Sequence, residues 1–134
     1  MTRYVIDAAA AIEIARSQVK VAAEHSLVAP SLLRSQVLSI LYRAVRAGEL
    51  APQDGRALLE RVTELKIRLL GDRVSRGTAW RIAEELGWDD TADAEYLAVT
   101  RLQADALIAL DPDLARRAHG VVPLATIDML QTVT

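Results

Sequence analysis

The sequence predicts an α/β fold built on a parallel sheet, and three observations predict it. Short apolar runs of strand length alternate with longer segments of helical periodicity, as βαβ units require. One of those runs, ALIAL at Ala106–Leu110, is continuously apolar, as expected of a central parallel strand buried on both faces. The chain has 134 residues, a length that suits one domain over 1–134 with a sizeable core of its own.

Taken in order, the first strand is Tyr4–Ile6, followed by a helix over Ala8–Arg16 with Ile12 and Ala15 among its apolar positions. Ser26–Ala29 reads as a second strand, stopped by Pro30. A long helix runs from Ser31 to Ala47, with Leu33, Val37, Ile40, Leu41 and Ala44 on one face and Gly48 closing it. Pro52 opens a helix through Leu65, with Leu58, Val62 and Leu65 along one side. Lys66–Leu70 is a candidate strand. Ser75 to Leu86 is a helix burying Ala79, Ile82, Ala83 and Leu86, stopped by Gly87. Thr91 to Gln103 is helical and leads into the strand ALIAL. Asp111-Pro112 starts a short helix through Ala118, Val121–Ala125 is a last strand, and Thr126–Thr132 a last helical turn or two. No repeat, linker or low-complexity tract interrupts this order.

Composition removes several classes of function. There is no cysteine, which excludes disulfides and thiolate metal sites. The two histidines, His25 and His119, are too few for an all-histidine site, so any metal would be held mainly by oxygen, which favours hard ions such as Mg²⁺ or Mn²⁺. No apolar run approaches a membrane span, and the start MTRYVID has a strand pattern rather than a signal peptide's. The default expectation is a cytoplasmic protein without membrane contact. A net charge of −2 gives no nucleic-acid signal, although 14 of the 16 basic residues are arginine, which suits phosphate contacts.

Three carboxylates fall at informative places. Asp7 directly follows the first strand, Asp111 lies just beyond the strand ALIAL, and Asp93 lies in the first turn of the helix before that strand. Ligands of open α/β sheets bind beyond the carboxyl ends of the strands. If the two strands are neighbours, Asp7 and Asp111 project from one edge. Two carboxylates ~5 Å apart repel by roughly 3 kcal/mol at an effective dielectric of about 20. A divalent cation would neutralise them, activate a water and stabilise charge on a phosphate. A plainer reading stands beside this one. Asp7, Asp90 and Asp111 are each placed like a helix N-cap, and Asp93 like the acid of a capping box after Asp90.

The wording of three segments adds weight to the metal reading. YVIDAAAAIEIA resembles the first strand and first aspartate of the PIN-domain nucleases. LVAPSLLRSQVLSILYRAVRAG resembles their second block, a proline followed by a helix. TADAEYLAVTRLQADALIALDPDLARRAHGV resembles their final block. The chain is similar in particular to the VapC-type toxins of bacterial toxin–antitoxin pairs, over about residues 4 to 125. The resemblance implies a three-layer α/β/α sandwich with a central parallel sheet that binds Mg²⁺ or Mn²⁺ and cleaves RNA. It also implies a homodimer neutralised by a VapB-type antitoxin. Asp7 matches the family's first acid, Asp93 the third and Asp111 the fourth. Two positions depart from the pattern. Gln36 stands where the second acid is usually a glutamate, and Ala109 stands where a Thr or Ser usually precedes the last acid by two residues. Gln36 offers a neutral carbonyl and no base, and Ala109 removes a hydroxyl that could orient a carboxylate or water.

Other residues are weaker candidates. Asp113 is a candidate outer ligand or a favourable acid in a helix's first turn. Arg34 and Arg43 flank Gln36 on its helix and are candidate RNA-phosphate contacts, or ordinary surface arginines. Glu13 reads as a solvated acid, Asp89 and Asp90 as turn and cap residues, and Tyr96 as core. Trp80 and Trp88 read as core or interface, and His25 and His119 as loop-edge residues. Three readings follow: a metal-dependent endoribonuclease toxin weakened by Gln36 and Ala109, a catalytically inactive binding module of the same fold acting through an antitoxin or RNA, and a phosphoacceptor domain. The last needs a lysine after a late strand. The only lysines, Lys20 and Lys66, follow none, so it ranks lowest.

Overall fold

The four strands Thr2–Ile6 (β1), His25–Pro30 (β2), Ile67–Leu70 (β3) and Ala106–Ile108 (β4) form one sheet in the order β3-β2-β1-β4, parallel throughout. The architecture comes from a computed structural model and covers residues 1–132. Residues 133 and 134, included in the single domain read from the sequence, lie outside the described residues.

The helices are Ala8–Arg16 (α1), Leu33–Arg46 (α2), Pro52–Glu64 (α3), Arg73–Leu86 (α4), Ala92–Gln103 (α5) and Pro112–Ala118 (α6). Their arrangement follows from strand order and handedness. From β1 through β2 to β3 the chain steps one way across the sheet, and right-handed crossovers place α1, α2 and α3 on one face. From β3 it returns past β1 to β4, which places α4 and α5 on the other face. The contacts agree: α1, α2 and α3 pack on one another, whereas α4 packs on α5 and α5 on β1, β2 and β4. The result is an α/β/α sandwich.

The periodicities hold. Leu33, Val37 and Leu41 of α2, Leu58 and Val62 of α3, and Ala79, Ile82 and Ala83 of α4 are buried. Gly48 and Gly87 end α2 and α4 in the left-handed region, at φ 77° and 71°, which a glycine adopts without steric penalty. Leu86 is a correction: it reaches only the rim of the core and is 44% exposed.

The expected last strand, Val121–Ala125, is a second correction. It makes a single parallel bridge, Leu107 to Leu124, in which the Leu107 N–H donates to Pro123 and the Ala125 N–H to Leu107. Pro123 turns toward β4 but has no N–H to give, so the ladder cannot extend toward Asp105. The terminal helical turn is a 3-10 helix, Ile127–Gln131.

Candidate functional site

Strand order decides where a site can form. β1 and β4 are neighbours, and the chain leaves them toward opposite faces, so their carboxyl ends flank the point where the winding reverses. In parallel sheets that point leaves a crevice uncovered by crossover connections. A cleft of about 470 Å³ lies there, and Asp7, Gln36, Arg43, Asp93, Tyr96 and Asp111 are among its lining. Residues just beyond β1 and β4 and residues of α2 and α5 thus meet, Asp7 and Asp111 being 104 positions apart.

Asp7 is 2% exposed and has a structural task. As N-cap of α1 it accepts from the Ala10 N–H at 2.8 Å. It also accepts from the Leu110 N–H at 3.2 Å and the Asp111 N–H at 2.9 Å, stitching the end of β4 to that of β1. A carboxylate has about four lone-pair positions, so these bonds leave it roughly one. Burial pushes the Asp7 carboxyl above its ordinary 3.8, the three N–H bonds draw it partly back, and the Asp111 charge adds to the rise.

Asp111 is exposed and caps α6, accepting from the Asp113 N–H at 3.3 Å. The cap reading of Asp7 and Asp111 therefore holds together with their place in the cleft. The expected capping box at α5 does not form. Asp90 accepts from the Ala92 N–H at 3.2 Å, while Asp93 turns away and pairs with Arg117 at 3.2 Å. Burial raises the Asp93 carboxyl above 3.8, Arg117 opposes the rise and Asp111 adds to it.

Gln36 stands in the cleft wall, where its Oε1 accepts from the Tyr96 hydroxyl at 2.6 Å. Tyr96 is 1% exposed, and burial pushes its hydroxyl far above the ordinary range, so it remains a proton donor. Arg43 lines the same cleft because it lies seven residues after Gln36, two turns along one helix face. Arg34 is a correction. Two residues before Gln36, it is rotated by about 200° at ~100° per residue. It borders a separate apolar groove with Leu38, Leu59 and Glu60.

Asp113 is corrected likewise: it is not in the cleft lining, and in the first turn of α6 it faces solvent and pairs with Arg116 at 3.0 Å. Glu13 bonds Arg16 and Ser17 on the outer face of α1. Ala109 is half-buried, and Trp80 is 66% exposed. His25, at the edge of the loop before β2, is the first residue of that strand, is buried edge-on to Tyr4, and bonds the Thr132 carbonyl. His119 follows α6 as its C-cap.

The sequence reading missed two partnerships, Tyr96 with Gln36 and Arg117 with Asp93. Nothing in the sequence separates Arg117 from Arg116 beside it, because both are basic residues in a helix's last turn. As the side chains stand, no group of three His, Asp or Glu among the described residues is close enough to hold one ion.

Proton binding at the cleft has a measurable consequence. Asp93 holds its proton to higher pH when folded than when unfolded, so between 3.8 and its raised value the folded state binds more protons. Its contribution to stability therefore falls as pH rises through that window and levels off above it. Asp93→Asn cannot ionise. In metal-free thermal unfolding, the variant's melting temperature relative to wild type should climb across the same window. A difference that stays flat or declines would contradict the assignment.

No family model matches this chain. No curated protein matches it either. Among solved structures, it is similar to the crystal structure of PAE2754 from Pyrobaculum aerophilum, with a TM-score of 0.73 and 21% identity over 97% of this chain and 93% of that one. A likeness at that identity is one of fold. It supports the α/β/α architecture across nearly the whole length.

Proposed function

We propose that this chain is a Mg²⁺- or Mn²⁺-dependent endoribonuclease of the VapC type, the toxin of a cytoplasmic toxin–antitoxin pair, attenuated by Gln36 and Ala109. One observation carries the reading: Asp7, Asp93 and Asp111 line a single cleft at the reversal of winding, with Gln36 beside them. The donor set is oxygen only, which suits a hard cation. Asp93 and Asp111 each keep a carboxylate oxygen without a hydrogen-bond partner among the described residues, and Asp7 keeps about one lone pair. A bound divalent cation would supply an activated water and charge stabilisation at the scissile phosphate.

The remaining roles belong to the chain. Asp111, exposed at the rim, and Asp93, half-buried, are the two acids with oxygens to offer. Asp7 fixes the spacing of the strand ends on which Asp111 is mounted. Arg43 lines the cleft from α2, where its guanidinium can hold an RNA phosphate. Gln36 adds a carbonyl but no base. The homodimer and the VapB-type antitoxin belong to this reading through resemblance.

A second reading, an inactive binding module of the same fold, is favoured by how fully the polar groups are engaged: Asp7 by three N–H groups, Gln36 by Tyr96 and Asp93 by Arg117. Thermal unfolding with Mn²⁺ and a single-stranded RNA cleavage assay separate the two. If Mn²⁺ binds the folded state with millimolar ion about tenfold above Kd, stabilisation is about 1.4 kcal/mol. That corresponds to a rise of roughly 3–6 °C for a domain of this size. A rise that Asp93→Asn abolishes, with metal-dependent cleavage, supports the nuclease. A rise without cleavage supports the binding module, and no rise removes the metal site.

A further inference from the structure

Arg117 is the residue that the proposed activity leaves unexplained. It projects from the last turn of α6 and touches two groups at once. Its Nη1 lies 3.2 Å from Asp93 Oδ2, and its guanidinium carbon lies 4.9 Å from the centroid of the half-buried Trp88 ring. Cation–π attraction to the indole face and charge attraction to the carboxylate act on one planar group. The ring holds the guanidinium beside the cleft, so a fixed positive charge sits on one of the two acids with an oxygen to spare.

We propose that Arg117 is a built-in counter-ion that competes with a divalent cation for Asp93, with Trp88 as the platform that retains the guanidinium. The inference rests on the metal-dependent reading above and deepens it by naming what limits cation affinity. Two cations cannot approach one carboxylate without mutual repulsion. A metal ion must therefore displace Arg117 from Asp93, or bind against its charge. Either route weakens binding and disturbs the contact between Arg117 and Trp88. Arg43, the other arginine at the cleft, lines it from α2 and has no ion pair with a cleft acid among the described residues.

The test uses the whole chain and metal alone. Of the two tryptophans, Trp80 is exposed and can be changed to phenylalanine, leaving Trp88 as the reporter. Mg²⁺ titration should then change Trp88 emission. In the same background, Arg117→Met should bind Mg²⁺ by calorimetry about fivefold more tightly, from the lost ion pair and the lost repulsion. It should also lose most of the emission change. Arg117→Lys keeps the charge and should bind as weakly as the parent. Trp88→Leu removes the platform and should fall between parent and Arg117→Met. Equal or weaker Mg²⁺ binding by Arg117→Met overturns the proposal and makes Arg117 a structural partner of Asp93. Wild-type affinity in Trp88→Leu overturns the role of the ring. Absence of binding in every protein, parent included, overturns the metal reading and this inference with it. If Arg117→Met is misfolded by circular dichroism, Arg117→Lys and Trp88→Leu still decide the outcome.

Discussion

Replacing Asp7 with alanine should lower folding stability by about 2–3 kcal/mol, because a buried N–H left without its acceptor costs about 1–3 kcal/mol. The Ala10 N–H is buried and would be stranded, while those of Leu110 and Asp111 are only partly buried and would cost toward the low end of that range. The Ala10 bond is also the cap of α1, and a cap by itself is worth about 1 kcal/mol. Relief of a buried charge offsets part of the loss, since burial already disfavours the ionised carboxyl. Asparagine should be milder: its Oδ1 can still accept from Ala10 and Leu110, but its amide nitrogen would face the Asp111 N–H as a second donor. Urea denaturation of the metal-free proteins measures the effect. A loss under about 1 kcal/mol for Asp7→Ala would mean that the stitch between β1 and β4 carries little stability. Activity loss in an Asp7 variant is therefore ambiguous, and Asp93→Asn is the cleaner probe of the cleft.

Gln36→Glu should produce the largest gain of function. The substitution places a carboxylate in the cleft that Asp7, Asp93 and Asp111 line. Where a positioned base accepts a proton from the attacking water it contributes roughly 10²–10⁴-fold, so under the proposed nuclease reading RNA cleavage should rise within that range. Mn²⁺ binding should tighten as well. A carboxylate can accept the same bond from the Tyr96 hydroxyl that Gln36 Oε1 accepts now, so the new side chain should hold its place. The metal-free variant should be less stable than wild type, since a further negative charge joins a cluster in which Asp111 already raises both Asp7 and Asp93. Cleavage and calorimetry should be run beside wild type, with Asp93→Asn in the Gln36→Glu background as the control for contaminating nuclease. Unchanged cleavage and unchanged Mn²⁺ affinity would mean that position 36 has no part in the chemistry.

Much of the fold could be read from local patterns. The stripes of α2, α3 and α4, the glycine stops at 48 and 87, and the caps at Asp7 and Asp111 depend on residues within about two turns of one another. α1 runs over the residues its periodicity marks. ALIAL is a correction: only Ala106–Ile108 form the strand, buried but at the end of the four-stranded sheet rather than its centre, with a single bridge to Leu124 on its far side and Leu110 41% exposed. Val121–Ala125 failed as a strand because apolar content says nothing about which N–H groups face a neighbour, and Pro123 has none to offer.

The sequence by itself determined the parallel α/β class, the positions of the acids at strand ends and helix starts, and their capacity to cap helices. Each is a property of a residue and its near neighbours along the chain. Only the tertiary structure decided that β4 lies beside β1, that Gln36 and Arg43 face the resulting cleft while Arg34 and Asp113 do not, and that Arg117 pairs with Asp93. Those outcomes depend on strand order and on the rotation of helices about their axes. Long-range packing sets both: burying one face of each helix against the sheet determines where every other side chain on that helix points.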